Sequence, residues 1–285
     1  MAAMLILLSG CTGLVEGILI KKYNAKHKKG GFFFTGLVSL FSMLFFVFTD
    51  QNGFYFPAGI FPYALLSGAL FCTASFLTYL ALGCGPFSIS MLILSYSCVF
   101  SIVYGLIFLR ETADVFTYAG LLLIMISLYL TRGQASVDED KKASLKWGIC
   151  IGLSVACSGM FGVLMRMQQI AFDNACTNEY MIITLGCSAV VLLIVGVVRD
   201  RHDLAYILRH GSGYAALSGI SNGATNFMGL AINLLMPLSI SSPIRAGVRI
   251  ILSFALSKII FKERLLTRQL IGVILGGIAL VMLNF

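Results

Sequence analysis

The chain has 285 residues, of which 59% are hydrophobic and 11% are charged, and its formal net charge is +8. Its mean hydropathy of +0.94 reflects more apolar surface than a soluble domain of this length can bury. The composition therefore excludes a soluble domain and indicates a protein surrounded by lipid. The basic residues lie mostly in short connectors, so they indicate membrane topology rather than nucleic-acid binding.

Uninterrupted apolar runs recur along the chain at about 18–22 residues, the length of a helix that crosses the hydrocarbon core of a bilayer. Because lipid offers the backbone no hydrogen bonds, such runs must be helical. The sequence therefore predicts an all-α integral membrane protein with ten transmembrane helices. Their approximate ranges are 1–20, 31–49, 61–82, 87–109, 113–131, 147–169, 177–198, 212–235, 237–260 and 265–285.

Breaks and one long polar segment divide the chain. Gly85-Pro86 precedes the fourth predicted helix, and Met236-Pro237 precedes the ninth; both are typical helix-breaking pairs. Residues 132–146 form the only long polar segment. We interpret this segment as a linker between a first five-helix repeat, 1–131, and a second, 147–285.

The two halves share sequence. Residues 63–90 align without gaps on residues 214–241, with ten identities in 28 positions. Internal repetition in a hydrophobic chain points to a transporter built from two related halves. Because each half contains an odd number of predicted helices, the halves are expected to cross the membrane in opposite directions, as an inverted 5+5 repeat.

Lysine and arginine are concentrated in alternate connectors. The connector at 21–29 contains five lysines, and the segments 132–146, 199–210 and 261–264 are also basic, whereas the other side has Arg110 and Arg166. The positive-inside rule predicts that the basic connectors are cytoplasmic. Both termini would then lie outside the cell.

A short motif occurs at the same place in each half. Leu109-Arg110-Glu111 is followed by Gly120, and Phe261-Lys262-Glu263 by Gly272, each glycine nine residues after the glutamate. Together with ten helices in inverted halves, the motif resembles the EamA-type branch of the drug/metabolite transporter superfamily over essentially the whole chain. The resemblance implies a secondary active transporter. It leaves the substrate open, since that group carries amino acids, choline, nucleotide sugars, triose phosphates and drugs, and it implies that both termini are cytoplasmic.

Ionisable side chains inside a membrane span are energetically unfavourable, so each is a candidate functional residue. Glu16 lies in the first predicted helix, and Arg245 and Arg249 lie four residues apart in the ninth, on one helix face. At 1.5 Å per residue, Glu16 and Arg249 are roughly 21 Å and 18 Å from the starts of their helices.

Two main interpretations of these three residues stay open. In the first, Glu16 and Arg249 form a structural ion pair between the two helices. In the second, the arginines bind an anionic group of a substrate, while Glu16 balances the charge, binds the ammonium group of a zwitterion or carries a proton for coupling. A third possibility is that the arginines extend to the lipid headgroups.

The eighth predicted helix has a polar stripe, which either joins helices together or lines a cavity. The stripe comprises Ser218, Asn222, Asn226, Gly229 and Asn233. The candidate substrate-binding residues are Glu16, Ser75, Tyr79, Tyr96, Asn222, Asn226, Arg245 and Arg249. Pro86 and Pro237, at the helix breaks, are candidate gates.

We therefore expect a transporter that moves a small polar metabolite, anionic or zwitterionic and amino acid-like, across the plasma membrane by alternating access. The alternatives are an exporter of cationic, drug-like compounds and a flippase for lipid-linked substrates. Glu16 supports the first alternative, since it lies roughly where the small multidrug resistance transporters have their cation-binding glutamate. The sequence shows no metal-ligand spacing and no nucleophile beside a base, so we expect neither an enzyme nor a cofactor. The expected partners are the substrate, with proton or ion coupling open, and the bilayer; no nucleic acid is expected, and the protein is a monomer or a homodimer.

Overall fold

The structure is a computed structural model, and it describes residues 2–27, 30–50, 53, 55–110, 115–131 and 141–256, together with 259–260, 267–268, 271–272, 274–275 and 278. All regular secondary structure in these ranges is helical. The helices are α1 Ala2–His27, α2 Gly31–Thr49, α3 Ile60–Cys84, α4 Phe87–Ser95, α5 Cys98–Ile107, α6 Val115–Thr131, α7 Lys141–Ala171, α8 Thr177–Arg199, α9 Leu204–His210, α10 Ser212–Leu235 and α11 Leu238–Leu256.

Seven helical stretches in these ranges are long and apolar enough to cross a membrane. They are α1, α2, α3, α4 taken together with α5, most of α7, α8 and α11. Such stretches indicate a multi-pass α-helical membrane protein. Helix α10 is of similar length but contains three asparagines. The predicted tenth helix at 265–285 lies mostly outside the described residues, as do Glu111 and Glu263 of the repeated motif.

Proline sets two helix breaks. Helix α3 ends at Cys84, Gly85 and Pro86 are extended, and α4 begins at Phe87. Likewise α10 ends at Leu235, Met236 is extended at φ −143° and ψ 148°, and α11 begins directly after Pro237. A proline ring clashes with helical conformations of the preceding residue, which accounts for both breaks. The end of α10 lies 151 residues after the end of α3, and the start of α11 lies 151 residues after the start of α4. This spacing equals the offset of the sequence repeat.

The segment predicted as one helix at 87–109 is divided into α4 and α5. The backbone N–H groups of Tyr96, Ser97, Val99 and Phe100 donate to carbonyls three residues back rather than four. This is the tighter 3₁₀ geometry, which in the middle of a long helix often marks a hinge. Both segments pack against α11, so the division lies inside the helix bundle.

Two further boundaries differ from the prediction. Helix α7 begins at Lys141, inside the segment predicted as a polar linker, whose residues 132–140 are outside the described ranges. The predicted connector at 199–210 contains the short helix α9, which is amphipathic enough to bury Ile207 completely. His27 Nδ1 lies 2.8 Å from the Tyr206 hydroxyl oxygen, so two connectors predicted to share a side of the membrane are neighbours.

The helices pack as a bundle with a common interior. Helix α2 packs against α8 and α10, α3 packs against α7 and α8, and α1 packs against α10 and α11. Helices α4 and α5 contact α7 as well as α11. The largest fully buried side chains include Tyr23, Phe34, Phe87 and Tyr180. These four side chains lie near the ends of α1, α2, α4 and α8, so the helix ends are well filled.

Close approach of α2 and α8 depends on Gly196. A Cβ atom there would lie 2.6 Å from the backbone nitrogen of Phe33, and backbone cannot move aside as a flexible side chain does. We expect Gly196→Ala to lower the free energy of unfolding by about 1–3 kcal/mol, measured by thermal unfolding in detergent. Gly152→Ala is the control, because a Cβ at Gly152 meets nothing within 4 Å and alanine favours a helix. Equal losses in the two variants would contradict the role of close packing.

Candidate functional site

A cavity of about 260 Å³ lies among α1, α2, α3, α4, α5, α7, α10 and α11. Helices from both halves of the sequence contribute to its wall. Six of the residues predicted to bind substrate line it: Glu16, Ser75, Asn222, Asn226, Arg245 and Arg249. The structure thus brings together residues that are as much as 233 positions apart in the chain.

The two arginines project from one face of α11, four residues apart. A Cβ atom at Gly229 of α10 would lie 2.8 Å from Nη1 of Arg245, and one at Gly13 of α1 would lie 3.4 Å from Nη2 of Arg249. Each guanidinium therefore occupies space that a glycine leaves open. The two glycines belong to α10 and α1, which pack against each other, so both guanidinium groups lie beside this pair of helices.

Both arginines have hydrogen-bond donors that the described part of the protein leaves unused. The Nε atoms of Arg245 and Arg249 are buried without a hydrogen-bond partner among the described residues, and no ion pair within 4.0 Å joins either guanidinium to the described acidic residues. A buried charge is normally paired or hydrogen-bonded. Guanidinium groups offer five donors in a planar fork, so both residues retain the capacity to bind an anion.

Glu16 of α1 is held in place by an amide of α10. Asn222 Nδ2 donates to Glu16 Oε1 at 3.0 Å, and Asn222 Oδ1 accepts from Ser42 Oγ at 2.8 Å and from Asn226 Nδ2 at 3.0 Å. The direct Glu16–Arg249 ion pair, one of the two interpretations of the sequence, is not formed between these two described residues. The charge of Arg249 acts on Glu16 from a greater distance.

The cavity carries an excess of positive charge. Arg245, Arg249 and Glu16 are the only charged residues in its described lining, so two positive charges face one negative charge. Within the described ranges, no group of three or more His, Cys, Asp or Glu residues is arranged to hold a metal ion. The charges of the cavity are therefore available to a substrate.

Hydroxyl groups complete the polar lining, and the sequence pattern did not single most of them out. They belong to Ser9, Thr35, Thr78, Ser95, Ser97, Ser101, Ser158, Thr225 and Ser242. Ser95 Oγ donates to the Met91 carbonyl and Thr225 Oγ1 to the Ser221 carbonyl, both at 2.8 Å. A hydroxyl that bonds to its own helix is well tolerated in an apolar segment, so its presence there does not single it out. Thr225 Oγ1 also lies 2.7 Å from Thr12 Oγ1 of α1.

Two predicted substrate-binding residues lie outside the cavity lining. Tyr79 is 4% exposed, its ring lies 5.7 Å from that of Phe34, and the side chain fills the space above Gly31 of α2. Tyr96 lies in the turn between α4 and α5 and packs against an apolar cluster formed mainly by α11. The turn explains its position, because the prediction assumed a continuous helix there.

The polar stripe of α10 serves both of the functions considered for it. Asn222 and Asn226 line the cavity. Asn233, further along the helix, donates to Gln169 Oε1 of α7 at 3.1 Å, and its carbonyl accepts from Arg166 Nη1 at 2.8 Å. The carbonyl belongs to the last turn of α10, where a cation is favourable. One end of the stripe thus joins helices, and its middle faces the cavity.

Gly229 determines where the Arg245 guanidinium lies. A Cβ at this position would be 2.8 Å from Nη1, so Gly229→Ala must displace the guanidinium while leaving its charge in place. We expect the variant to bind anionic ligands at least about tenfold more weakly, since a charged hydrogen bond is typically worth 1.5–3 kcal/mol. Titration calorimetry measures the change. Gly213→Ala, on the same helix with nothing within 4 Å of the added atom, should bind normally; weaker binding in both variants would assign the effect to α10 as a whole.

Comparison with known proteins identifies the fold only. No family model matches the chain, and no curated protein matches it. Among solved structures, one described only as a crystal structure of a protein superposes with a TM-score of 0.63 at 11% identity, covering 97% of this chain and 98% of that one. The helical arrangement is therefore similar over the full length to that of a solved structure.

Proposed function

We propose that the chain is a secondary active transporter of the EamA type in the drug/metabolite transporter superfamily. It moves a small polar metabolite, anionic or zwitterionic, across the plasma membrane by alternating access. The observation that carries the proposal is the pair of buried arginines, without partners among the described residues, on the wall of a polar cavity between the helices. A carrier needs such a binding site at the interface between its repeats.

The helix contacts support a ten-helix, inverted-repeat architecture. The corresponding helices of the two halves are α1 and α7, α2 and α8, α3 and α10, and the α4–α5 pair and α11. When each helix is replaced by its counterpart, the contact between α1 and α10 becomes the contact between α7 and α3. The contact of α2 with α10 likewise becomes that of α8 with α3. All four of these contacts are present. Such pairing is expected if the halves are related by a two-fold axis in the membrane plane, with the cavity between them.

Alternating access requires segments that change conformation near the site. The division between α4 and α5 is one candidate, because its 3₁₀ turn is beside the cavity residues Ser97 and Cys98. Pro86 and Pro237 are candidate gates, since they begin the two helix segments that approach the cavity, α4 and α11. We propose that these breaks allow one half to move against the other around the bound substrate.

The charge of the cavity favours an anion or zwitterion over the alternatives. An exporter of cations through Glu16 would work against two facing arginines. A flippase would need its charged groups to face a groove open to lipid, whereas Arg245 and Arg249 line the cavity among the helices. No enzymatic activity is proposed, because the cavity has no nucleophile hydrogen-bonded to a base among its described residues.

Exchange across a membrane tests the proposal. Purified protein in lipid vesicles would be offered labelled compounds of each charge class: dicarboxylates, amino acids and quaternary amines. We expect saturable exchange of an anionic or zwitterionic compound that is absent from protein-free vesicles. Exchange of cations alone would transfer the assignment to the cation exporters. Movement of labelled lipid between leaflets, without exchange of any soluble compound, would assign a flippase.

A further inference from the structure

We infer that the substrate is a compact α-amino acid with a second acidic group, so that it carries two negative charges and one ammonium group. The inference rests on the proposed function, because it assigns the chemical class of substrate to the same cavity. It follows from the number and the kinds of charged groups in the cavity and from the position of Glu16. The second acidic group is a carboxylate, which leaves one excess negative charge on the ligand, or a phosphate, which adds up to one more.

The number of charges indicates two anionic groups. Arg245 and Arg249 keep their charge in proteins, and neither forms an ion pair within the described part of the chain. Arg245 approaches Gly229 on α10, whereas Arg249 approaches Gly13 on α1. One carboxylate has about four acceptor positions, whereas the two guanidinium groups have roughly ten N–H donors between them. A ligand with two anionic groups uses more of these donors than a ligand with one.

Glu16 indicates an ammonium group beside one of those anions. Glu16 is three residues after Gly13 and therefore on the same face of α1, about 5–6 Å away. It is thus one helical turn from the place where the Arg249 guanidinium packs, yet the two do not form an ion pair. Asn222 donates to one oxygen of the carboxylate, and a carboxylate accepts several hydrogen bonds. This spacing fits the adjacent carboxylate and ammonium groups of an α-amino acid.

The remaining positive charge accounts for the second acidic group. With the amino acid head between Arg249 and Glu16, Arg245 is left near Gly229 to bind an acid at the end of the side chain. The net charges also match, since the cavity has one excess positive charge and the ligand one excess negative charge. A volume of about 260 Å³ corresponds to roughly nine water molecules. That space suits a ligand the size of an acidic amino acid and is too small for a nucleotide.

Matched ligands test each group separately. L-glutamate and L-aspartate carry all three charges, and O-phospho-L-serine carries up to one further negative charge on its phosphate; glutarate lacks the ammonium group, and L-glutamine lacks the second acid. We expect the full-length protein to bind one of the first three at least about tenfold more tightly than glutarate or L-glutamine, as the loss of one charged hydrogen bond implies. Comparison of the two carboxylate ligands with the phosphate ligand identifies the second acidic group. Titration calorimetry on the unmodified protein measures every one of these affinities.

Two variants assign the groups to residues. Arg245→Gln should remove the preference for L-glutamate over L-glutamine, and Glu16→Gln should remove the preference for L-glutamate over glutarate. A merely structural effect would weaken all ligands in parallel and leave the preferences unchanged. These are ratios within one variant, so a moderate loss of stability does not obscure them.

The outcomes separate this inference from the proposed function. Equal binding of glutarate and L-glutamate by the unmodified protein would overturn the ammonium assignment, while transport of an anion would stand. Equal binding of L-glutamine and L-glutamate would overturn the second acidic group, while transport of a zwitterion would stand. Binding of cations alone would overturn both the inference and the proposed function.

Discussion

Replacing Arg245 with leucine is expected to stabilise the ligand-free protein and to remove the extra stabilisation that a second acidic group on the ligand provides. Arg245 is the cation in excess, because the charge of Arg249 is balanced across the cavity by Glu16, and its Nε is buried without a partner among the described residues. Exchanging buried charges for apolar side chains often stabilises a protein by about 1–4 kcal/mol. Thermal unfolding with and without ligand measures both effects, since a bound ligand adds stability that grows with the logarithm of its concentration relative to its dissociation constant.

Arg166→Leu is the matched control for this experiment. Arg166 also lies within a helix, but its Nη1 donates to the Asn233 carbonyl in the last turn of α10, and it is not part of the cavity lining. We expect this variant to unfold at a lower temperature and to keep its ligand response. If Arg245→Leu instead loses as much stability as Arg166→Leu, then Arg245 is a structural residue, and the anion-binding assignment fails.

The two arginine replacements are expected to change the stability of the ligand-free protein in opposite directions, because Arg245 is assigned to ligand binding and Arg166 to a contact between helices. A residue that joins helices donates to another helix, as Arg166 Nη1 does, although Arg166 Nε is also buried without a partner among the described residues. A residue that binds a substrate has unused donors, and the protein is less stable without ligand than it would be with an apolar side chain. Substrate then supplies the missing contacts, which gives it differential affinity for the conformation in which the cavity is formed.

The helical class and the proline breaks were predictable because each follows from a local rule. The length of the apolar runs identifies membrane helices, and proline determines the conformation of Gly85 and Met236. The division between α4 and α5 followed from no such rule. Residues 95–98 are Ser-Tyr-Ser-Cys, with neither proline nor glycine, so the 3₁₀ turn is a consequence of packing against α7 and α11.

Candidate site residues could be predicted only where a charged or strongly polar side chain is energetically unfavourable in lipid. Charged residues and asparagines stand out in an apolar chain, and Glu16, Arg245 and Asn222 were found on that basis. Periodicity assigns a residue to a helix face but does not identify the neighbouring helix. Tyr79 illustrates this limit, because it lies on the edge of the face that carries Ser75 and Thr78, and its ring turns towards α2.

Asn222→Leu is expected to lower both stability and ligand affinity more than any other single amide replacement in the described part of α10. Asn222 donates to Glu16 and accepts from Ser42 and Asn226. Leucine leaves Glu16 and Ser42 without this partner, whereas Asn226 Nδ2 keeps the backbone carbonyl of residue 222. Hydrogen bonds between membrane helices average about 0.6 kcal/mol and reach about 1.7, and buried groups left unpaired lose about 1–3 kcal/mol each. We therefore expect a loss of about 2–4 kcal/mol in the free energy of unfolding, measured by thermal or denaturant unfolding in detergent.

Asn233→Leu is the matched control, because it makes the same replacement eleven residues further along α10, at a contact between helices rather than at the cavity. Its side-chain amide donates to Gln169 alone among the described partners, and its Oδ1 is already without a hydrogen bond there. We expect it to lose about 1 kcal/mol and to bind ligand normally, because the carboxylate of Glu16 keeps its position. Normal binding by Asn222→Leu would mean that Glu16 needs no amide to hold it, and the assignment of the ammonium position would then lose its geometric basis. A selective loss of binding would instead show that one amide of α10 orients the acidic group of the cavity, while another joins α10 to α7.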